Sequence, residues 1–231
     1  MRKILCLTLF VLGLPILQLA QEVGTSADTQ LEGRFALQLS YEHLARNFVL
    51  GGIEEKVGRS IFIGKLSFRP ANPVDFYGFF GSSSFPNSYV GAGTLLYFGG
   101  GCKIMMLGEV YIEEEDGETT TVKAGVGLDL QLSHLTSTND SNYKDFSLTE
   151  FQGAVDFGLR IFWFVGYFGF KFSKVSGEFV QLDYPRIKAE GTGLFSLFLG
   201  FNFYLGKSVV LLSELSLFTE KSWALGIRFD I

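Results

Sequence analysis

The sequence predicts an all-β fold: a closed antiparallel up-and-down β-barrel of about ten strands, within a range of about eight to twelve, that crosses a bilayer. Three observations carry this. Large apolar residues alternate with small or polar ones through most of the chain, and a period of two marks strands with unlike faces. The 231 residues include 25 Phe and 28 Gly, and mean hydropathy is +0.27, an apolar excess that a soluble β-protein with a wet outer face does not need. After the amino-terminal segment, no apolar stretch approaches the ~20 unbroken residues of a transmembrane helix. Insertion then has to use a closed barrel, the other way to pair every backbone group in lipid.

Residues 1–20 read as a secretory signal peptide. Arg2 and Lys3 precede an apolar run from Ile4 to Leu17, and Ala20 offers a small residue for cleavage, with Ala27 as the second choice. Gly13 and Pro15 interrupt the run, so it does not read as an anchor. Cys6 lies inside the signal without a lipobox. Cys102 is then alone in the mature chain, which excludes an internal disulfide and reads as an ordinary strand residue. Residues 21–33 form a short polar lead-in, and 34–231 form the barrel as one domain. The net charge of −5 gives no electrostatic case for nucleic acid.

The first strand starts at Arg34, with Phe35, Leu37, Leu39 and Tyr41 on one face and Gln38, Ser40 and Glu42 on the other. A long loop is expected over Asn47–Gly58. A return strand follows over Ser60–Arg69, then a proline turn at Pro70–Pro73, a strand over Val74–Gly81 and a loop over Ser82–Ser88. The fourth strand, about Gly93–Met106, has its faces blurred by Gly99, Gly100 and Gly101. The acidic stretch Glu113–Glu118 lacks EF-hand spacing and reads as a solvated turn. Val122, Ala124, Val126, Leu128, Leu130 and Leu132 then alternate with Lys123, Gly125, Gly127, Asp129, Gln131 and Ser133.

After a polar loop over Thr136–Asp145, Phe151, Val155, Phe157, Leu159 and Ile161 mirror that face. A turn around Trp163 leads to Phe164, Phe168, Phe170 and Phe172, with Tyr167, Lys171 and Ser173 opposite. Gly177–Ala189 reads as a loop. Strands over Thr192–Leu205, Ser208–Phe218 and Ser222–Ile231 complete the series, the last two joined by a brief reversal at Thr219–Lys221. Short connections thus alternate with longer polar ones, the pattern of a barrel with both termini on one side.

In the last strand, Trp223, Leu225, Ile227, Phe229 and Ile231 alternate with Ala224, Gly226, Arg228 and Asp230. It resembles the C-terminal strand of bacterial outer-membrane β-barrels, which serves as an assembly signal, except that Ile rather than Phe is final. Over the mature chain the pattern resembles the small outer-membrane barrels of the OmpA/OmpX-like group, including their uncharacterised short members. Phe98-Gly99-Gly100-Gly101-Cys102-Lys103 is similar to a stretch common in such chains. The resemblance implies a Gram-negative outer-membrane location with both termini periplasmic, a lipid bilayer and the barrel-assembly machinery as partners, and a monomer.

Bulky apolar residues should face lipid and the polar set should face the lumen, because a small lumen cannot hold so many aromatics. Trp163 and Trp223 fall at opposite rims, as interfacial aromatics do. The alternative is a secreted lipocalin-like ligand binder with its apolar face inside. Asp129, Asp156 and Lys171 share inward parity at similar heights, so a lumen network is expected. Lys171 is the first candidate cation and Arg160 the second. Arg34 and Asp230 are expected to meet across the seam between the first and last strands.

His43 and His134 end strands at the loop side, but their parity sends them to the lipid face. Ser133 points away from His134, which speaks against a barrel-embedded hydrolase. No metal or cofactor motif is present. Inward Tyr77, Phe79, Tyr167 and Tyr204 should narrow the bore. The expected role is structural or surface-interacting, with a mostly plugged lumen; the alternative is a narrow pore for small solutes or ions.

Overall fold

Alternation over long runs leaves each strand with one face for apolar surroundings and one for polar side chains, and closing the sheet puts those faces outside and inside. The computed structural model describes residues 35–71, 73–84, 95–113, 119–137, 143–181, 187–191 and 195–231. The segments expected as signal peptide and lead-in, and Arg34, lie outside the described residues. The strands are β1 (Phe35–Leu50), β2 (Ile53–Ala71), β3 (Val74–Ser84), β4 (Leu95–Glu113), β5 (Thr119–Ser137) and β6 (Tyr143–Ile161). They continue as β7 (Phe164–Gln181), β8 (Ile187–Gly191), β9 (Phe195–Tyr204), β10 (Val209–Phe218) and β11 (Glu220–Asp230).

All pairings are antiparallel. Leaving β8 aside, the other ten strands close into a barrel, with β1 pairing to both β2 and β11. The seam runs from Ala36↔Asp230 to Arg46↔Glu220.

Exposure assigns the faces. Leu128, Leu130 and Leu132 are 42, 40 and 56 % exposed, whereas the intervening Asp129 and Gln131 are 3 and 6 % exposed. Phe151, Phe157, Phe168, Phe170 and Phe172 are likewise exposed on the outside, and Tyr77, Phe79 and Tyr167 are buried within. Such a barrel is apolar outside and polar inside, which suits lipid rather than water. Val122, expected among the exposed residues, is buried instead.

Several inward glycines make room for rings that lie across the bore. A Cβ on Gly200 would collide with the Tyr167 ring, one on Gly101 with Tyr77, and one on Gly99 with Phe79. The glycine run that blurs β4 is therefore the floor on which two aromatics rest.

Two expected loops are strand. Asn47–Gly58 is a tight hairpin whose turn is Gly51-Gly52, with φ of 58° and 93°; two successive positive φ values are what a two-residue I′ turn requires. Most of Gly177–Ala189 is also paired. β7 continues to Gln181, and β8 sits between β7 and β1, with Ser176↔Glu190 on one side and Val49↔Glu190 on the other. The fourth strand runs past Met106 to Glu113, and the last begins at Glu220 rather than Ser222. Residues 114–118 of the acidic turn lie outside the described residues.

Strand length then explains the outline. β3 and β9–β11 have 10 or 11 residues, close to the ~9–11 that cross a bilayer. β1, β2 and β4–β7 have 16 to 19 and carry the wall beyond that span. The end where β1 starts and β11 finishes is called the near end, and the other the far end. At the far end β8 replaces β9–β11 as the link between β7 and β1.

Leu128→Arg is expected to destabilise the barrel by ~2–4 kcal/mol. Gly200→Val should also destabilise it, because the Tyr167 ring cannot move through the wall. Urea titration in lipid vesicles, followed by Trp fluorescence, measures both.

Candidate functional site

The lumen holds the densest chemistry. Inward parity places residues from many strands at each height, so layers form across the bore. At the far end the layer is apolar: Phe48, Val57, Leu95, Leu135, Leu148, Val175 and Ala189 form a buried cluster. These positions continue the polar inward faces of their strands beyond the membrane-length segment, where the side chains pack on one another as in a soluble core.

Directly beneath is an ionic hub. Arg46 Nη2 donates to Glu150 Oε1 at 2.8 Å, to Ser173 Oγ at 2.8 Å and to Glu220 Oε2. Lys171 Nζ donates to Glu220 Oε1 at 2.5 Å, and Ser222 Oγ to the same oxygen at 3.0 Å. Arg59 reaches Glu150 Oε2 at 3.4 Å and lies over the Tyr97 ring at 5.3 Å. Arg46, Lys171, Glu150 and Glu220 are all buried. Charges removed from water must be paired and hydrogen-bonded, and this cluster ties β1, β2, β6, β7 and β11 together across the bore.

A second set of contacts lies nearer the middle. Tyr77 Oη donates to Asp129 Oδ1 at 2.5 Å, and Lys65 Nζ lies 4.0 Å from the centre of the Tyr77 ring. Lys103 Nζ is 3.1 Å from Asp156 Oδ2, an ion pair by distance without hydrogen-bond alignment. Tyr167 Oη donates to Glu214 Oε2 at 3.0 Å. Among these side chains, Gln38, Ser40, Glu42, Lys65 and Gln131 help line a cavity of about 10 Å³, room for roughly one water molecule. Towards the near end, Arg69 grips Asp75 through Nε and Nη2 at 2.5 and 2.7 Å.

The expected network is thus divided differently. Asp129 and Asp156 are both buried in the lumen, but the cation placed against Asp156 is Lys103, and Lys171 is paired with Glu220 in the hub above. Arg160 lies at the near rim, over the Tyr204 ring at 4.0 Å. Its place opposite Val165, at the last rungs before the Phe162-Trp163 turn, explains that position. At the seam, Asp230 is held by Arg228 at 2.8 and 3.2 Å, two residues along the same face; its expected partner Arg34 lies outside the described residues.

In the last strand, Leu225 and Ile231 are exposed on the outer face, and Trp223 lies against Tyr41 at 5.4 Å. Trp163 is exposed at the near-end turn and stacks on Phe203 at 5.9 Å. The hub residues Arg46, Glu150 and Glu220 were not expected. Arg46 continues the inward parity of Gln38, Ser40 and Glu42, so extending that alternation by two more steps finds it.

The tops of the short strands are finished by hydroxyls. Thr219 Oγ1 donates to the Phe195 carbonyl, and Glu220 N donates to Ser196 Oγ at 3.2 Å. Backbone groups that lose their ladder where β9–β11 stop are satisfied this way.

On the outer face, His43 Nδ1 is 3.0 Å from Ser60 Oγ, and His134 Nδ1 is 3.1 Å from Thr149 Oγ1. Both pairs span adjacent strands of regular ladder, whose N–H groups are committed to neighbouring carbonyls. Among the described residues, no group of three or more His, Cys, Asp or Glu side chains is placed to hold a metal ion.

No protein-family model matches the chain, and no curated protein matches it significantly. Solved structures with a similar arrangement are outer-membrane barrels. An outer-membrane channel from Pseudomonas putida is 10% identical with a TM-score of 0.43, covering 91% of this chain and 100% of that one. The translocator domain of the autotransporter NalP from Neisseria meningitidis is 9% identical with a TM-score of 0.38, covering 88% of this chain and 90% of that one. Ail, the attachment invasion locus protein of Yersinia pestis, is 13% identical with a TM-score of 0.29, covering 87% and 100%. At such values the functional reading rests on this barrel's own geometry.

Arg46→Ala is expected to cost ~3–5 kcal/mol, because it leaves Glu150 and Glu220 buried with less compensation. Lys103→Met should act in the same direction through Asp156. Unfolding midpoints in vesicles measure both, and the exposed Lys207→Ala should leave them unchanged.

Proposed function

We propose that this chain is a bacterial outer-membrane β-barrel protein that works from its outer wall and far rim rather than through its bore. It is a structural or surface-interaction protein, not an enzyme. The observation that carries this reading is the stacking of an apolar core on a buried ionic hub across the lumen. A conducting path needs continuous water. Here a solute would have to part Arg46 from Glu150 and Glu220 and then cross the buried apolar layer of Phe48, Val57, Leu95, Leu135, Leu148, Val175 and Ala189.

The apolar exterior and the two tryptophans at opposite rims support residence in a bilayer. The near end, with the start of β1, the end of β11 and the Phe162-Trp163 turn, is read as periplasmic, and the far end as facing the exterior. The signal peptide is removed on export. The alternating face of β11 suits recognition by the assembly machinery, which must hold a last strand before the seam closes. The folded barrel then works as a monomer.

Purified chain reconstituted in planar bilayers is expected to give no discrete conductance steps. Regular ohmic openings would replace this reading with the narrow pore. Recovery of the mature chain as a soluble periplasmic protein, with no heat-dependent shift in gel migration, would remove the membrane reading itself.

A further inference from the structure

The geometry points to a binding site for a glycolipid headgroup on the outer wall of the far end, where β6, β7 and β8 run side by side; this rests on the membrane orientation proposed above. The registers align two polar rows on that wall. Ser147, Glu178 and Lys188 lie opposite one another in the upper row, and Thr149, Ser176 and Glu190 in the lower. All six point outwards, because their strand neighbours Leu148, Val175 and Ala189 are buried in the far-end core. Together the rows line a shallow groove of about 410 Å³ that is open to the surroundings.

Height and chemistry select the occupant. One row closer to the near end, Phe151 stands opposite Lys174, and Phe172 follows; both aromatics are exposed in the apolar belt. The groove therefore begins where the belt ends, at the level of lipid headgroups. Its side chains are hydroxyls, carboxylates and an ammonium, with no large apolar anchor. A protein interface would need a desolvated apolar centre and a far larger area. Sugar hydroxyls suit Ser, Thr and Glu, and sugar phosphates suit Lys188 above and Lys174 below. A headgroup anchored by acyl chains also gains contact along Phe151 and Phe172, which a free saccharide does not.

The full chain, folded in detergent, would be titrated with a fluorescent rough-type lipopolysaccharide. Saturable binding is expected, at least about tenfold weaker in the double variant Lys188→Gln/Glu190→Gln and in Ser176→Trp, which fills the groove without removing a charge. The near-end control Lys207→Gln should bind as the original chain does. Each variant is scored only if heat-dependent gel migration shows a folded barrel, and Thr149→Leu replaces one that fails. Unchanged affinity in the groove variants overturns the site while leaving the membrane reading standing. Equal competition by the lipid-free core oligosaccharide overturns the glycolipid assignment in favour of a soluble saccharide. A chain that never enters bilayers overturns both.

Discussion

The seam between β1 and β11 is the constraint on which the rest depends. A sheet in lipid cannot leave an edge, since each unpaired N–H or C=O would lie where nothing can satisfy it. The ladder from Ala36↔Asp230 to Arg46↔Glu220 removes that edge. Closure also decides what the bore contains. The final rung brings Arg46 and Glu220 together as an ion pair, so the last step of the backbone ladder is the first contact of the hub. Parity does the remainder, because a one-residue slip would turn the charged face of either strand into lipid.

The interior has two kinds of filling for two environments. Within the membrane-length segment charged and polar side chains stand among the inward aromatics and aliphatics, and they are stabilised by cross-bore pairs. Above it the same strands turn inward with Val57, Leu135, Leu148 and Val175. That part of the wall can have water outside, so an apolar inside is again favourable. One barrel therefore reverses its preference along its axis, apolar outside in lipid and apolar inside beyond it. The outer polar rows on β6–β8 are the counterpart of that reversal.

Much of this was legible in the sequence, for a physical reason. Period two is imposed by the pleat, so Leu128, Leu130 and Leu132 on one face and Asp129 and Gln131 on the other could be read directly. Strand ends were harder. Gly51-Gly52 falls inside Asn47–Gly58, the stretch expected as a long loop, yet the wall there stands clear of lipid and carries the exposed Glu54 and Lys56 on paired strands. Arg46 lies beyond Glu42, where the alternation named for the first strand ends, and Glu220 falls within the reversal expected at Thr219–Lys221. Parity fixes which side a residue faces but not its height relative to strands far away in sequence. Lys171 was accordingly set beside the Asp pair, when the stagger of the barrel carries it up to Glu220 and gives Asp156 to Lys103.

β8 also decides how the far end is closed. Its two neighbours, β7 and β1, are separated by three strands in the lower barrel and by more than a hundred residues along the chain. Lower down, β9, β10 and β11 span that interval, whereas at the far end the five residues of β8 bridge it alone. One short segment therefore holds both sides of the gap, and Gly191, beside Arg46 and Val175, covers the hub from the side.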